Sequence, residues 1–292
     1  MAWVKRILFF AAVNIAVVFA ANIIVHLAAY YFKIEITGSS YALVFYSLLG
    51  MGGAFASLAM SKWLAKSQLG VEVIDPRSAN PNDRDLVDRV HAMAKAAGLT
   101  KMPEVGIFES DEVNAFATGP SRNNSLVAVS TGLRRRMNDD QVDGVLGHEV
   151  AHIANGDMVT MTLIQGVINT MVLFAAHFIA KIVEQKTESR TYYYLTYYLI
   201  QIPLGLVGSL VVNKFSRMRE FRADFGGARY AGRGKMISAL QALQNTQELV
   251  EVENERMASL KIAGRKATNW RALFSTHPSL EERIAKLERA RV

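Results

Sequence analysis

Four stretches of this 292-residue chain contain no Asp, Glu, Lys or Arg: Ile7 to Phe32, Ile36 to Ser61, Met158 to Ala180 and Thr191 to Asn213. A helix crosses the apolar core of a bilayer in roughly 18 to 20 residues, and every one of these stretches exceeds that. One apolar helix of this length can hide in a protein core. Four in a chain this short cannot all be covered by protein, so the pattern predicts a multi-pass membrane protein. The third and fourth are less apolar than the first two, carrying Gln165, Asn169 and His177, and Gln201 and Pro203, respectively.

The first stretch outruns the apolar region of a cleavable signal and passes through Lys33-Ile34-Glu35 straight into the second. Residues 1–61 therefore read as a transmembrane hairpin. Lys5 and Arg6 precede it and Lys62 and Lys66 follow it, which places both its ends in the cytoplasm by the positive-inside rule. The polar residues 62–157 and 214–292 then form the two parts of one cytoplasmic catalytic domain, separated by a second transmembrane pair over 158–213. The chain has no cysteine, which excludes disulfides and thiolate-ligated metals. Its net charge of +7 is spread largely along the borders of the apolar stretches, with Arg134-Arg135-Arg136 the only basic triplet. That distribution suits lipid headgroups and solvent, and nucleic acid is not an expected partner.

The polar parts combine helices with a little sheet. Asp83 to Ala97 repeats apolar residues at helical spacing and stops at Gly98. Glu104 to Phe108 is a short apolar run suited to a strand. Asn114 to Thr118 and Ser125 to Ser130 follow as two more strands, separated by the turn-forming cluster Gly119 to Asn124. A further helix is predicted from Asn138, with Gln141 completing a capping box and Asn155-Gly156 ending it. Phe215 to Tyr230, Lys235 to Met257 and Ser279 to Arg291 also read as helices.

Within the helix that starts at Asn138 stands His148-Glu149-Val150-Ala151-His152. Helical spacing puts the two imidazoles one turn apart on one face with a carboxylate beside them. One helix then supplies two zinc ligands and a general base for a water molecule. A catalytic zinc usually takes three protein ligands, so the chain must supply one more. His26 and His177 fall inside predicted spans, and His91 and His277 remain. Arg219-Glu220-Phe221-Arg222-Ala223-Asp224 is a better source: Glu220 could ligate while Asp224, one turn on, accepts a hydrogen bond from a ligand imidazole. The same spacing also describes an ordinary charged helix with Arg–carboxylate pairs.

Several segments in order along nearly the whole chain carry a resemblance. They include Asn114-Ala115-Phe116-Ala117-Thr118-Gly119, Leu126 to Leu133, His148 through Gly166, Arg219-Glu220-Phe221 with Ala223-Asp224, and Thr276-His277-Pro278 with Arg283-Ile284. In these the chain resembles the HtpX family, membrane-bound zinc metalloproteases of bacterial inner membranes in the superfamily of the prenyl-protein (CAAX) endopeptidases. The resemblance implies a mainly α fold with a small β-sheet and a gluzincin-like HExxH domain. It implies one zinc ion per chain, held by His148, His152 and Glu220, with Glu149 activating water and Asp224 behind a ligand imidazole. It also implies that Asn114, Ala115, Phe116 and Ala117 form the edge strand that pairs with an extended substrate, and that His277 and Arg283 steady the oxyanion. Arg222 departs from the pattern, since a well-known relative has His there. On its own, His277 also reads as a surface His before Pro.

The expectation is therefore a zinc endopeptidase at the cytoplasmic face of a bacterial inner membrane. Its implied work is to cut misfolded or damaged membrane proteins in quality control and stress, alongside other membrane quality-control proteases. The residues 181–190 and 248–256 are candidate sites of self-cleavage. A di-iron bundle is excluded, because it needs a second Glu-x-x-His and the chain has one. The alternative kept open is a four-span transporter or scaffold with a structural zinc. Gln165 and His177 read as helix-to-helix contacts in preference to a polar channel.

Overall fold

Residues 23, 27 and 30, 38 to 258 and 277 to 290 are described by the structure, a computed structural model. Apart from those three positions the first predicted span, and with it half of the hairpin, lies outside the described residues. The elements in order are α1 (Gly38–Gln68), β1 (Glu72–Val73), α2 (Pro81–Ala96), β2 (Glu104–Phe108), β3 (Ala115–Ser121) and β4 (Asn124–Ser130). They continue with α3 (Thr131–Arg136), α4 (Asp139–Asn155), α5 (Asp157–Thr187), α6 (Arg190–Ala231), α7 (Arg233–Ala258) and α8 (Leu280–Arg289). The fold is mainly α with a small mixed sheet.

Three helices among the described residues are long and apolar enough to cross a membrane, over Tyr41–Gln68, Asp157–Thr187 and Arg190–Ala231. The chain divides into two compact units, Met1–Leu58 with Met161–Val212, and Ala59–Thr160 with Asn213–Val292. In the first unit the helices meet at small residues. A Cβ on Gly50 would collide with Thr170, and one on Gly166 with Met51. Close backbone approach of this kind is how helices associate where lipid removes the hydrophobic driving force. His177 Nδ1 lies 2.8 Å from Tyr193 Oη, Tyr197 stacks on Tyr193, and Tyr46 packs tilted against His177 and Tyr197. Gln165 donates to Asn169 Oδ1 one turn on, at 2.8 Å. The polar residues of the third span are thus used in contacts between and within helices.

The second unit is built on the sheet, ordered β1-β2-β4-β3. β1 and β2 are antiparallel, β2 and β4 parallel, and β3 and β4 antiparallel, which leaves β3 at an edge. β4 is buried from Ser125 to Ser130, and its alternation serves two faces. Val127 and Val129 join Leu86, Val90 and Met93 of α2 and Leu146, Val150 and Ile153 of α4 in the main core. Leu126 and Ala128 point the other way, against Ala65, Val71 and Phe108. Period-2 alternation with both sets apolar explains why this strand reads as a continuous hydrophobic run.

Two boundaries differ from the sequence expectation. The predicted turn Gly119 to Asn124 shrinks to Arg122-Asn123, because β3 continues to Ser121 through an irregularity between Thr118 and Ser121. Gly119 sits there at φ 141°, with no room for a Cβ beside Asn124, so it serves a bulge. The fourth span and the helix predicted from Phe215 are one helix, α6, of 42 residues. Nothing between Asn213 and Phe215 breaks a helix, and Gly232 at φ 109° ends it.

Candidate active site

The second unit shapes α4 at both ends. Asn138 accepts a hydrogen bond from Gln141 N while the Gln141 side chain accepts one from Asn138 N, the reciprocal capping box. At the other end Gly156 adopts φ 70°, ψ 31° and returns its N–H to the last turn. The helix is held close to its neighbours by glycines. A Cβ on Gly144 would strike the Lys235 carbonyl and Ala239, and one on Gly147 would come within 2.9 Å of Ala231 Cβ.

On this helix His148 and His152 face each other, Nε2 to Nε2, at 3.1 Å. Glu220, carried by α6 and 1% exposed, brings Oε2 within 3.5 Å of His148 Nε2 and Oε1 within 3.4 Å of His152 Nε2. One ligand atom from each of the three lies within 4.8 Å of the others. Behind the imidazoles stand two more buried carboxylates. Asp224 Oδ1 is 3.0 Å from His148 Nδ1, and Asp157 Oδ2 is 2.7 Å from His152 Nδ1. Arg283, from α8, closes on Asp224 with Nε and Nη2 at 2.8 and 2.6 Å. Its Nη2 is also 3.4 Å from His148 Nδ1, a distance too long to compete with Asp224 for that nitrogen. His277, with its side chain 59% exposed, places Nδ1 2.8 Å from Glu220 Oε2. Glu149 is half-buried on α4, and its charge is felt at both imidazoles and at Arg283.

Residues 80–291 match the profile of peptidase family M48. The chain belongs to peptidase family M48. It is 52% identical over 252 residues to a protease HtpX homolog of Bacillus licheniformis, covering 84% of each chain. It is 46% identical over 297 residues to a protease HtpX homolog of Bacillus subtilis strain 168, covering 97% of this chain and 99% of that one. The crystal structure of S. mikatae Ste24p shares the fold, with a TM-score of 0.64 at 14% identity over 98% of this chain and 66% of that chain. This M48 peptidase is thus a membrane-bound metalloendopeptidase, acting on polypeptides, and the transporter or scaffold alternative falls away.

The cluster fits the metal that the family implies. A carboxylate accepts hydrogen bonds, so Asp224 and Asp157 fix the proton of each imidazole on Nδ1 and leave both Nε2 lone pairs bare. Two bare nitrogens and a carboxylate then converge, and Glu220 Oε1 is buried with no hydrogen-bond donor among the described residues. Three lone-pair donors facing one point repel one another unless a cation or protons lie between them. The nitrogens approach each other to 3.1 Å and each meets a different Glu220 oxygen at 3.4 to 3.5 Å, spacings near the roughly 3.3 Å edge of a tetrahedron with bonds of about 2.0 Å, as at zinc. The electrostatics show the same demand for positive charge, which protons answer in place of a metal. Burial opposes charge on His152, but Asp157 and Glu220 outweigh it and push its pKa up to about 9. Asp224 and Glu220 likewise raise His148 against its burial. Burial is also overcome at Glu220, where His148, His152 and His277 hold the carboxyl far below its ordinary range.

The sequence-predicted residues His148, His152, Glu220, Asp224, His277 and Arg283 are therefore brought together, and β3, with Ala115, Phe116 and Ala117, lies at the sheet edge beside α4. Asn114 precedes the strand and pairs with Ser130, its carbonyl accepting the Ser130 N–H at 2.9 Å. Asp157 escaped the sequence reading. Its sole signal there was the Asn155-Gly156 stop immediately before it.

Proposed function

We propose that one zinc ion per chain is held by His148, His152 and Glu220, and that the protein is a quality-control endopeptidase for misfolded or damaged membrane proteins. The observation that carries the zinc reading is the convergence of two imidazole lone pairs and a buried carboxylate oxygen, Glu220 Oε1, that accepts no hydrogen bond among the described residues. Zinc supplies a Lewis acid there, which acidifies water and polarises a peptide carbonyl. Glu149 takes the proton of the attacking water and delivers it to the leaving amine. Asp224 and Asp157 hold the imidazoles in one tautomer and orientation. Arg283, spent on Asp224, is a positioning residue, whereas the exposed ring of His277 is the better placed donor for the developing oxyanion.

Asn114, Ala115, Phe116 and Ala117 are the edge at which an extended substrate adds its backbone. Main-chain pairing demands unfolded sequence and little else, which suits a protease that selects damage over identity. The basic residues around the apolar stretches support a bacterial inner-membrane setting with the catalytic part in the cytoplasm, where other membrane quality-control proteases work as partners.

The test is zinc-dependent cleavage of casein in detergent by the parent and by Glu149→Gln. Activity lost in the variant while zinc stays bound supports the assignment. Equal activity in both rejects it.

A further inference from the structure

An open cavity of about 430 Å³ lies beside the metal helix, lined by Ser121, Arg122, Asn123, Asn155, Gly156, Val159 and Thr160. It joins two features already described: the end of the edge strand β3 at Ser121, and the last turn of α4. Asn155 stands three residues beyond His152. That is roughly 5 Å along the helix axis, a distance an extended peptide covers in about two residues.

The lining has a definite chemical sense. The Arg122 guanidinium lies over Gly156, with Nε 3.2 Å from the place a Cβ would occupy, and has no carboxylate partner among the described residues. Asn155 Nδ2 is buried and has no acceptor among the described residues. Asn123 Oδ1 is already taken by Thr100, and the Thr160 hydroxyl donates to Gly156 O. No Asp or Glu lines the cavity. Asp157, next along the chain, is turned inward onto His152. The cavity therefore offers a cation with no carboxylate beside it among the described residues, and what it lacks is an anion.

We propose that this cavity is a substrate subsite for an acidic side chain, Asp or Glu, about two residues from the cleaved bond. Arg122 is its cation. The inference rests on the active-site reading given above, because it measures position from the metal helix. Edge-strand pairing alone is blind to sequence, and this subsite adds a side-chain preference to it. A lipid phosphate shares the chemistry of the ligand, but the cavity's continuity with β3 favours the peptide.

The full-length protein in detergent, loaded with zinc, is given a proteome-derived peptide mixture, and cleavage positions are read by mass spectrometry. The parent is expected to enrich Asp and Glu several-fold at one fixed position within three residues of the cut. Arg122→Gln should flatten that position and Arg122→Glu should turn it toward Lys and Arg, with the profile at other positions as internal reference. A flat parental profile, or one that Arg122→Glu leaves unchanged, overturns the proposal. An unchanged profile with loss of stimulation by phosphatidylglycerol vesicles overturns it in favour of a headgroup site. If zinc-loaded parent cuts nothing, the active-site reading fails and this subsite with it.

Discussion

Arg283 and Asp224, 59 residues apart, form a two-point fork, Nε to Oδ2 at 2.8 Å and Nη2 to Oδ1 at 2.6 Å, with both side chains nearly inaccessible to solvent. Asp224 in turn holds His148. A side chain of α8 therefore orients an imidazole of α4 through a carboxylate of α6. Removing one partner of a buried pair strands the other. Arg283→Met should destabilise the protein by about 3 to 5 kcal/mol. The check is a lowered apparent Tm together with earlier zinc loss to chelator. Pairing it with Asp224→Leu should recover part of the stability but not the metal retention, since the imidazole stays unoriented.

Asp157→Asn keeps the shape beside His152 and removes the charge that holds its Nδ1 proton. Outer carboxylates of this kind contribute about 10- to 100-fold in metal affinity. Zinc retention measured against a graded chelator should fall by that factor, with the helical content of the protein unchanged.

Gly144→Ala gains about 1 kcal/mol of helix propensity but places a methyl group against the Lys235 carbonyl and Ala239. Overpacking at a helix contact costs about 1 to 3 kcal/mol, so the net effect should be a loss. Thermal unfolding in detergent should show a drop in apparent Tm, whereas alanine at exposed Gly234, with no described atom near, should cause none.

Glu104 offers a pH test away from the metal. Partial burial works to raise its pKa, but the ammonium groups of Lys66 and Lys62, at 2.7 and 2.9 Å, hold it below the ordinary range. A carboxyl with a depressed folded pKa stabilises above its unfolded pKa, and that contribution is lost as pH falls through the folded one. Glu104→Gln should therefore be less stable than the parent at neutral pH and equal to it in strong acid. The difference should be small and salt-sensitive, because the side chain is 39% exposed.

What could be read from the sequence was what adjacent residues decide. The Asn138–Gln141 box, the Gly156 stop and the His148–His152 spacing are all local, and the structure has each of them. Glu220 remained ambiguous because its role depends on contacts with α4, some seventy residues earlier, which no local spacing reveals. The Arg122-Asn123 turn was drawn too wide because Gly119, a turn former by composition, is used inside a strand. Asp157 was invisible for a geometric reason. Five residues beyond His152 a continuous helix would carry its side chain about 140° around the axis.

That last angle gives the glycine at 156 a wider meaning. Its left-handed backbone cancels the rotation and folds the next carboxylate back onto the imidazole. The unit that a search for such centres ought to seek is therefore the ten-letter phrase from His148 to Asp157. Its punctuation mark, the one letter with no side chain, decides which neighbour completes the sentence.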